Sequence, residues 1–291
     1  MTNQIGDVTL RKENVARAVT GFALQEYKFK QLLMASSSSA NRESYFQETA
    51  AELTASGTEA IKGIPRLAEF PEVRVSWTKK DAYIEKYGDQ GTISMEDKFF
   101  NDIDVIARTE LRIARSITKQ VDDEIWDVLT QDQTGTDINV YTISAGNEWD
   151  SSTIANRDPV YDIARAITAI QQSFYPIRNG NGFLLVNDLD YTNIITNSKV
   201  SNNPSFRALS NLENGKVSEF MNLSVISSES VTADYALVVL AKECGTWKEA
   251  MPLTVATIYD EGIKWTIRAW EMGVAQLTNP KAITRIDNTR A

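Results

Sequence analysis

The longest unbroken pattern of apolar and polar positions runs over residues 94–131, which contain no glycine or proline and keep helical spacing throughout. Placed at about 100° intervals, Ile103, Ile106, Ala107, Ala114, Ile117, Val121, Ile125 and Val128 share one arc, and Arg108, Arg112, Arg115 and Lys119 share a narrower arc on the opposite side. This predicts one long helix, on the order of 50 Å at about 1.5 Å per residue, with an apolar keel and a basic ridge. Ser94 followed by Asp97 has capping-box spacing, and Glu96 and Asp97 put negative charge at the positive end of the helix dipole.

Ahead of it, Val15, Val19 and Phe22 recur at helical spacing within residues 10–35, with Phe29, Leu32 and Leu33 continuing the apolar face, and the serine run 36–39 interrupts. This piece reads as an arm over 1–40, too small to form a core alone, that docks on the main body or on a neighbouring subunit. Residues 41–93 change character. Val73, Val75 and Trp77 alternate with Arg74, Ser76 and Thr78 at strand period, and Tyr83 and Tyr87 stand among charged positions. A two-stranded excursion of this kind is marginal alone in water and needs a surface to lie on.

Beyond the long helix, TGTDINVYTISAG offers a short strand, and Asp158-Pro159 opens a helix marked by Ile163, Ile167 and Ile170. GFLLVN is an apolar run of strand length, followed by a short helix over 188–196 for which Asp188 and Asp190 serve as the cap, and NSKVSNNPSF reads as an exposed loop. NLSVIS and YALVVLAK are two more strands, making a mixed α/β unit over about 155–252. The chain closes with two long strands from PLTV onward, joined at Asp260-Glu261-Gly262.

Composition narrows the chemistry. The chain has 291 residues, 42% of them hydrophobic, enough for one large core or two moderate ones. No apolar run approaches a bilayer span and the N-terminus lacks a signal-peptide core, so no membrane partner and a cytoplasmic site of synthesis are expected. Histidine is absent, which removes Ser-His-Asp and Cys-His catalysis and the commonest metal ligand. The single cysteine, Cys244, excludes a disulfide framework and reads as a small buried residue. A net charge of −9 argues against a protein whose main task is to coat nucleic acid.

Asp122, Asp123, Glu124 and Asp127 form an acidic cluster that reads as a solvated or inter-subunit face in preference to a metal site. RNGNG lacks the lysine and spacing of a phosphate loop. Trp247, Trp265 and Trp270 read as packing or interface residues. No catalytic residue, cofactor site or metal site is expected.

Three local patterns then stand out: GKVSEFMNLSVISSESV at 215–231, YALVVLAK soon after, and the ending KWTIRAWEMGVAQLTNPKAITRI, with Pro280, Ala282 and Ile283 in its closing positions. In this order, after the long helix, they resemble the major capsid proteins of tailed viruses with the Hong Kong 97 fold, over nearly the whole chain. The resemblance implies an α+β fold: an N-terminal arm (1–40), an extended β-hairpin loop (41–93), a peripheral domain with the spine helix (94–154), a compact axial domain (155–252) and peripheral return strands (253–291). It implies pentamers and hexamers closing into an icosahedral shell around double-stranded DNA, assembled in the host cytoplasm and ending in the virion.

The resemblance also implies a portal and, since some members carry a cleaved scaffolding segment of about a hundred residues that has no counterpart expected before this loop, either a separate scaffold protein or assembly without one; cement proteins are a further partner on some shells. An encapsulin-type nanocompartment, which shares the fold but encloses an enzyme cargo, is the alternative. Arg74, Trp77, Lys79, Lys80 and Tyr83 are then candidates for a loop lying over the next subunit. Arg108, Arg112, Arg115 and Lys119 have three open readings: weak non-specific contact with packaged DNA, ion pairing with adjacent subunits, or a solvated face with pairs such as Asp104–Arg108 and Lys119–Asp123.

Overall fold

The structure is a computed structural model and describes residues 12–48, 65–67, 77–100, 105–177, 180–201, 212–213, 216–217 and 219–291. Helix α1 (Lys12–Glu26) leads through a 3₁₀ turn (Lys30–Leu32) into strand β1 (Met34–Ser37), then β2 (Arg42–Glu48), β3 (Trp77–Tyr83) and β4 (Glu85–Ser94). A short helix α2 (Met95–Phe99) precedes the spine α3 (Val105–Thr130), followed by β5 (Asn139–Thr142) and α4 (Pro159–Gln172). The rest comprises β6 (Gly182–Val186), α5 (Asp188–Thr196), α6 (Ser198–Ser201), the two-residue strands β7 (Leu212–Glu213), β8 (Lys216–Val217) and β9 (Glu219–Phe220), then β10 (Leu223–Ser227), β11 (Tyr235–Leu240), β12 (Gly245–Asp260), β13 (Lys264–Leu277) and β14 (Ile283–Asp287).

Two sheets organise these elements. A four-stranded sheet has the order β1-β12-β13-β4, and a six-stranded one the order β5-β14-β11-β6-β10-β9; β2 and β3 pair only with each other. The spine α3 lies across β4 and β13, and α1 packs along the spine and onto β12. The approach of helix to sheet is close at Gly91, where an added Cβ would come within 2.4 Å of the Thr109 side chain. Helix α4 covers the other sheet at β14 and β5, with Ile163, Ala166, Ile167 and Ile170 buried beneath it.

Several sequence expectations change here. The single helix over 94–131 is two helices. Ser94 caps the first as expected, its Oγ accepting from the Asp97 N–H at 2.9 Å, but that helix ends at Phe100, whose ψ of 23° leaves helical geometry. Replacing Ser94 by alanine is expected to cost about 1 kcal/mol, read as a lowered urea midpoint at unchanged m-value.

The 26-residue spine spans about 40 Å. Its buried face is two ladders, Ile113, Ile117, Val121, Ile125, Leu129 and Glu110, Ala114, Thr118, Asp122, Trp126, Thr130. Ile113, Trp126 and Leu129 thus belong to the keel, while Ile106, Ala107 and Val128 lie at its partly buried margin and Ile103 falls outside the described residues. The keel is broad because the spine is covered on more than one side: α1 packs along it, and the Trp126 indole donates to Thr232 Oγ1 at 3.0 Å from the other lobe.

The arm docks on its own body: Val15, Val19, Ala23, Phe29 and Leu32 are fully buried. Ser36 and Ser37, expected to break the chain, instead extend β1 along β12, in parallel register with Lys248 and Glu249. The long strand β12 starts at Gly245, well before the expected PLTV, because the register shifts flanking Met251 absorb Pro252, which has no N–H for the ladder. Its turn into β13 uses Gly262 at φ +74°.

Strand β4, counted with the loop over 41–93, is hydrogen-bonded along its length to β13, so the free ribbon ends at Tyr83. Strand β14, placed among the peripheral return strands of 253–291, pairs with β11 in the six-stranded sheet, and β5 joins it there from before residue 155. Ser198–Ser201, read as loop, forms α6 with Val200 buried.

Candidate subunit interface

The β2–β3 ribbon is built by alternation. Arg42, Ser44 and Phe46 face outward opposite Tyr83, Asp81 and Lys79, with Trp77 completing the outer face, while Glu43, Tyr45 and Gln47 with Ala82, Lys80 and Thr78 form the inner one. The inner face and the base are fixed to the body. The Glu48 N–H donates to the Thr278 carbonyl at 2.9 Å, Tyr175 Oη donates to the Glu48 carboxylate, Gln47 is buried, and Lys80 Nζ lies 3.4 Å from Asp137.

The outer face keeps three large apolar side chains in solvent: Phe46, Trp77 and Tyr83 are 57%, 53% and 60% exposed. Arg42 orders this face by pairing with Asp81 and standing 5.9 Å from the centre of the Tyr83 ring, and Ser44 Oγ donates to the same carboxylate at 2.5 Å. The hydrogen bonds from Arg42 and Ser44 hold the Asp81 carboxyl below the usual range. The ribbon presents to solvent Trp, Phe, Tyr and Arg, the residue types enriched at interface centres.

Of the residues proposed from sequence for this loop, Trp77, Lys79 and Tyr83 meet on the outer face, Lys80 turns inward to Asp137, and Arg74 lies outside the described residues. Phe46 was missed. Its signal is the RESYFQE alternation, whose phase is ambiguous because Tyr45 and Phe46 are adjacent and both aromatic.

The ridge residues Arg108, Arg112, Arg115 and Lys119 are all exposed on α3. Lys119 makes the expected pair with Asp123 at 2.8 Å, whereas Asp104 lies outside the described residues. Arg115 and Lys119 open onto a cleft of about 360 Å³ between the two lobes, which Lys28, Asp122, Asp188 and Glu229 also line.

Asp122, read as part of a solvated or inter-subunit face, is instead buried and holds the segment after α1: its two carboxylate oxygens accept the Lys28 and Phe29 N–H groups, each at 3.1 Å. Burial pushes its carboxyl up to about 6 against the lowering effect of those hydrogen bonds. Its signal is the i+4 spacing from Thr118 and to Trp126, which places it on the buried side.

A second buried carboxylate, Glu271, takes Tyr27 Oη at 2.7 Å and Lys30 Nζ at 2.8 Å, so both spine and sheet grip residues 27–30. In the other lobe Asn187, not Asp188 or Asp190, caps α5, because its side chain is the one that reaches the Leu189 N–H; Asp190 is fully buried and pairs with Arg290 at 3.0 Å.

Cys244 is buried, with its thiol pushed up to about 12 by burial, which suits packing and not nucleophilic attack. Trp247 and Trp265 are buried, and Trp270 is partly buried. Among the described residues, no group of three or more His, Cys, Asp or Glu side chains is arranged to hold a metal ion, and no helix is long and apolar enough to cross a membrane.

A model of the phage capsid protein family matches residues 77–286, most of the chain. No protein of curated function matches it in sequence. Among solved structures, the capsid of the cyanophage P-SCSP1u superposes with a TM-score of 0.65 at 12% identity, covering 90% of this chain and 88% of that one. A virus-like particle from Pyrococcus furiosus gives 0.63 at 12% identity, over 94% of this chain and 98% of that one. The mature capsid of bacteriophage PhiM1 gives 0.60 at 12% identity, over 91% and 87%. At these identities the structural likeness carries the fold, and the family match carries the family. The chain belongs to the phage capsid protein family and has the α+β, Hong Kong 97-like fold of a major capsid protein.

Proposed function

We propose that copies of this chain form the pentamers and hexamers of an icosahedral shell around a double-stranded DNA genome, and that they act by geometry, without catalysis, cofactor or metal. The observation that carries the reading is the family match over 77–286, which runs from the second strand of the ribbon through the spine into the last strand, β14. The spine and four-stranded sheet form the peripheral part, the six-stranded sheet the axial part packed around the local symmetry axes, and the β2–β3 ribbon lies over the adjacent subunit. Because each subunit divides its contacts among several neighbours, individually weak contacts combine through closed symmetry.

The remaining partners follow from the same reading: a separate scaffold protein and a portal during assembly in the host cytoplasm, cement proteins on the finished virion, and DNA through weak non-specific contact. Purification of particles from producing cells, followed by nuclease digestion, tests what the shell encloses. Protected double-stranded DNA is the expected content. A fixed enzyme cargo without DNA would replace the capsid reading with the encapsulin-type compartment.

A further inference from the structure

The spine carries two surfaces of opposite charge. Arg108 and Arg112, one turn apart near its start, are exposed and make no ion pair with any described residue. Near its end, Glu124 and Asp127 stand one turn apart beside Glu85 of β4 and Asp132, and none of these four is ion-paired among the described residues. Burial raises the Glu124 carboxyl, and Glu85, Asp127 and Asp132 raise it further. Asp127 is raised by burial and then by Asp132 and Asp123. These carboxylates repel one another at the negative end of the helix dipole, a surface that favours an approaching cation.

We propose that in the assembled shell Arg108 and Arg112 of one copy dock on the acidic surface formed by Glu85, Glu124, Asp127 and Asp132 of a neighbouring copy. The inference rests on the self-assembly reading above. On each surface the two helix positions are one turn apart, with Cβ atoms about 5–6 Å from each other, so two guanidinium forks can be offered to two carboxylates in one register. The contact is head-to-tail, the kind that closes into a ring when repeated by rotation.

DNA fits the ridge less well. Its far half is already occupied: Lys119 is paired with Asp123, and Arg115 borders a cleft that Asp122, Asp188 and Glu229 also line. A phosphate backbone following the ridge would meet those carboxylates, in a chain whose net charge is −9.

The test is charge reversal in the full chain: R108E/R112E, E124R/D127R and the combined fourfold variant. The readouts are the concentration at which shells appear by sedimentation and the DNA content of particles from producing cells. Each double variant is expected to raise that concentration at least about tenfold, and the fourfold variant to return it to within about threefold of the unaltered chain. Circular dichroism melts check folding, and R108Q/R112Q with E124Q/D127Q replaces any reversal that fails to fold, with a smaller rise expected in each.

A fourfold variant no better than either double variant overturns the proposal, as do double variants that assemble at the unaltered concentration. Normal shell yield with reduced DNA in R108E/R112E also overturns it and assigns the ridge to DNA. Failure of the unaltered chain to assemble at all would instead count against the self-assembly reading.

Discussion

Replacing Phe46 and Trp77 together by alanine is expected to abolish shell formation at concentrations where the unaltered chain assembles, while shifting the unfolding free energy by no more than about 0.5 kcal/mol. Both side chains are more than half exposed, so truncating them removes little packing within the subunit. They stand on the outer face of a ribbon whose inner face is occupied by Gln47 and Lys80 and whose base is held by the Glu48–Thr278 hydrogen bond, so that face is the one left for a neighbouring subunit in the proposed assembly. Aromatic side chains at the centre of an interface are worth about 2 kcal/mol or more each, so losing two weakens every ribbon contact by about a thousandfold. Sedimentation velocity of the two proteins side by side checks this. Shells at the unaltered concentration would remove the outer face of the ribbon from the subunit contacts.

The second large effect concerns Asp122, which acts within the subunit. Asp122→Ala is expected to cost about 2–4 kcal/mol at neutral pH, because it leaves the Lys28 and Phe29 N–H groups without their acceptor at a buried site. Asp122→Asn keeps one acceptor oxygen and is expected to lose less. The pH dependence has a definite sign. Burial raises this carboxyl to about 6, so the folded chain takes up its proton before the unfolded chain does.

The stabilisation from that uptake is complete below the ordinary aspartate range and disappears as pH rises through about 6. The difference in unfolding free energy between the unaltered chain and Asp122→Asn, which does not titrate there, is therefore expected to grow by about 1 kcal/mol on going from pH 7 to pH 5. Urea melts at both pH values measure it. A difference that shrinks toward pH 5 would mean that the two N–H donors outweigh burial.

The elements that one local rule determines were legible in the sequence. Ser94 caps α2, Asp158-Pro159 opens α4 with its carboxylate accepting from the Tyr161 N–H, and Gly262 turns β12 into β13. GFLLVN, NLSVIS and YALVVLAK became β6, β10 and β11 because continuous apolar runs of that length suit a sheet covered by helices. What failed needed tertiary information. The apolar spacing shows no stop between residues 94 and 131, yet the first helix closes at Phe100.

Polar residues placed inside were the other blind spot. Asp122 and Asp190 looked like a solvated charge and a helix cap because their partners, the Lys28 and Phe29 amides and Arg290, lie about a hundred residues away. At the candidate interface, strand period located Trp77 and Tyr83 but not the phase of the facing strand, so Phe46 became visible only through its register with Lys79. The ridge was legible as an arc of cations, and the Lys119–Asp123 pair with it, but the carboxylates Asp188 and Glu229 that share the cleft with Arg115 and Lys119 come from the second lobe and have no local signal.

Self-assembly is the claim on which the rest depends, and electron microscopy of the protein expressed by itself tests it most directly. Closed shells, or five- and six-membered capsomers, are the predicted result, with their yield rising with protein concentration. A monodisperse monomer at every concentration and salt level, with no shell or capsomer even when virion co-proteins are supplied, would contradict it.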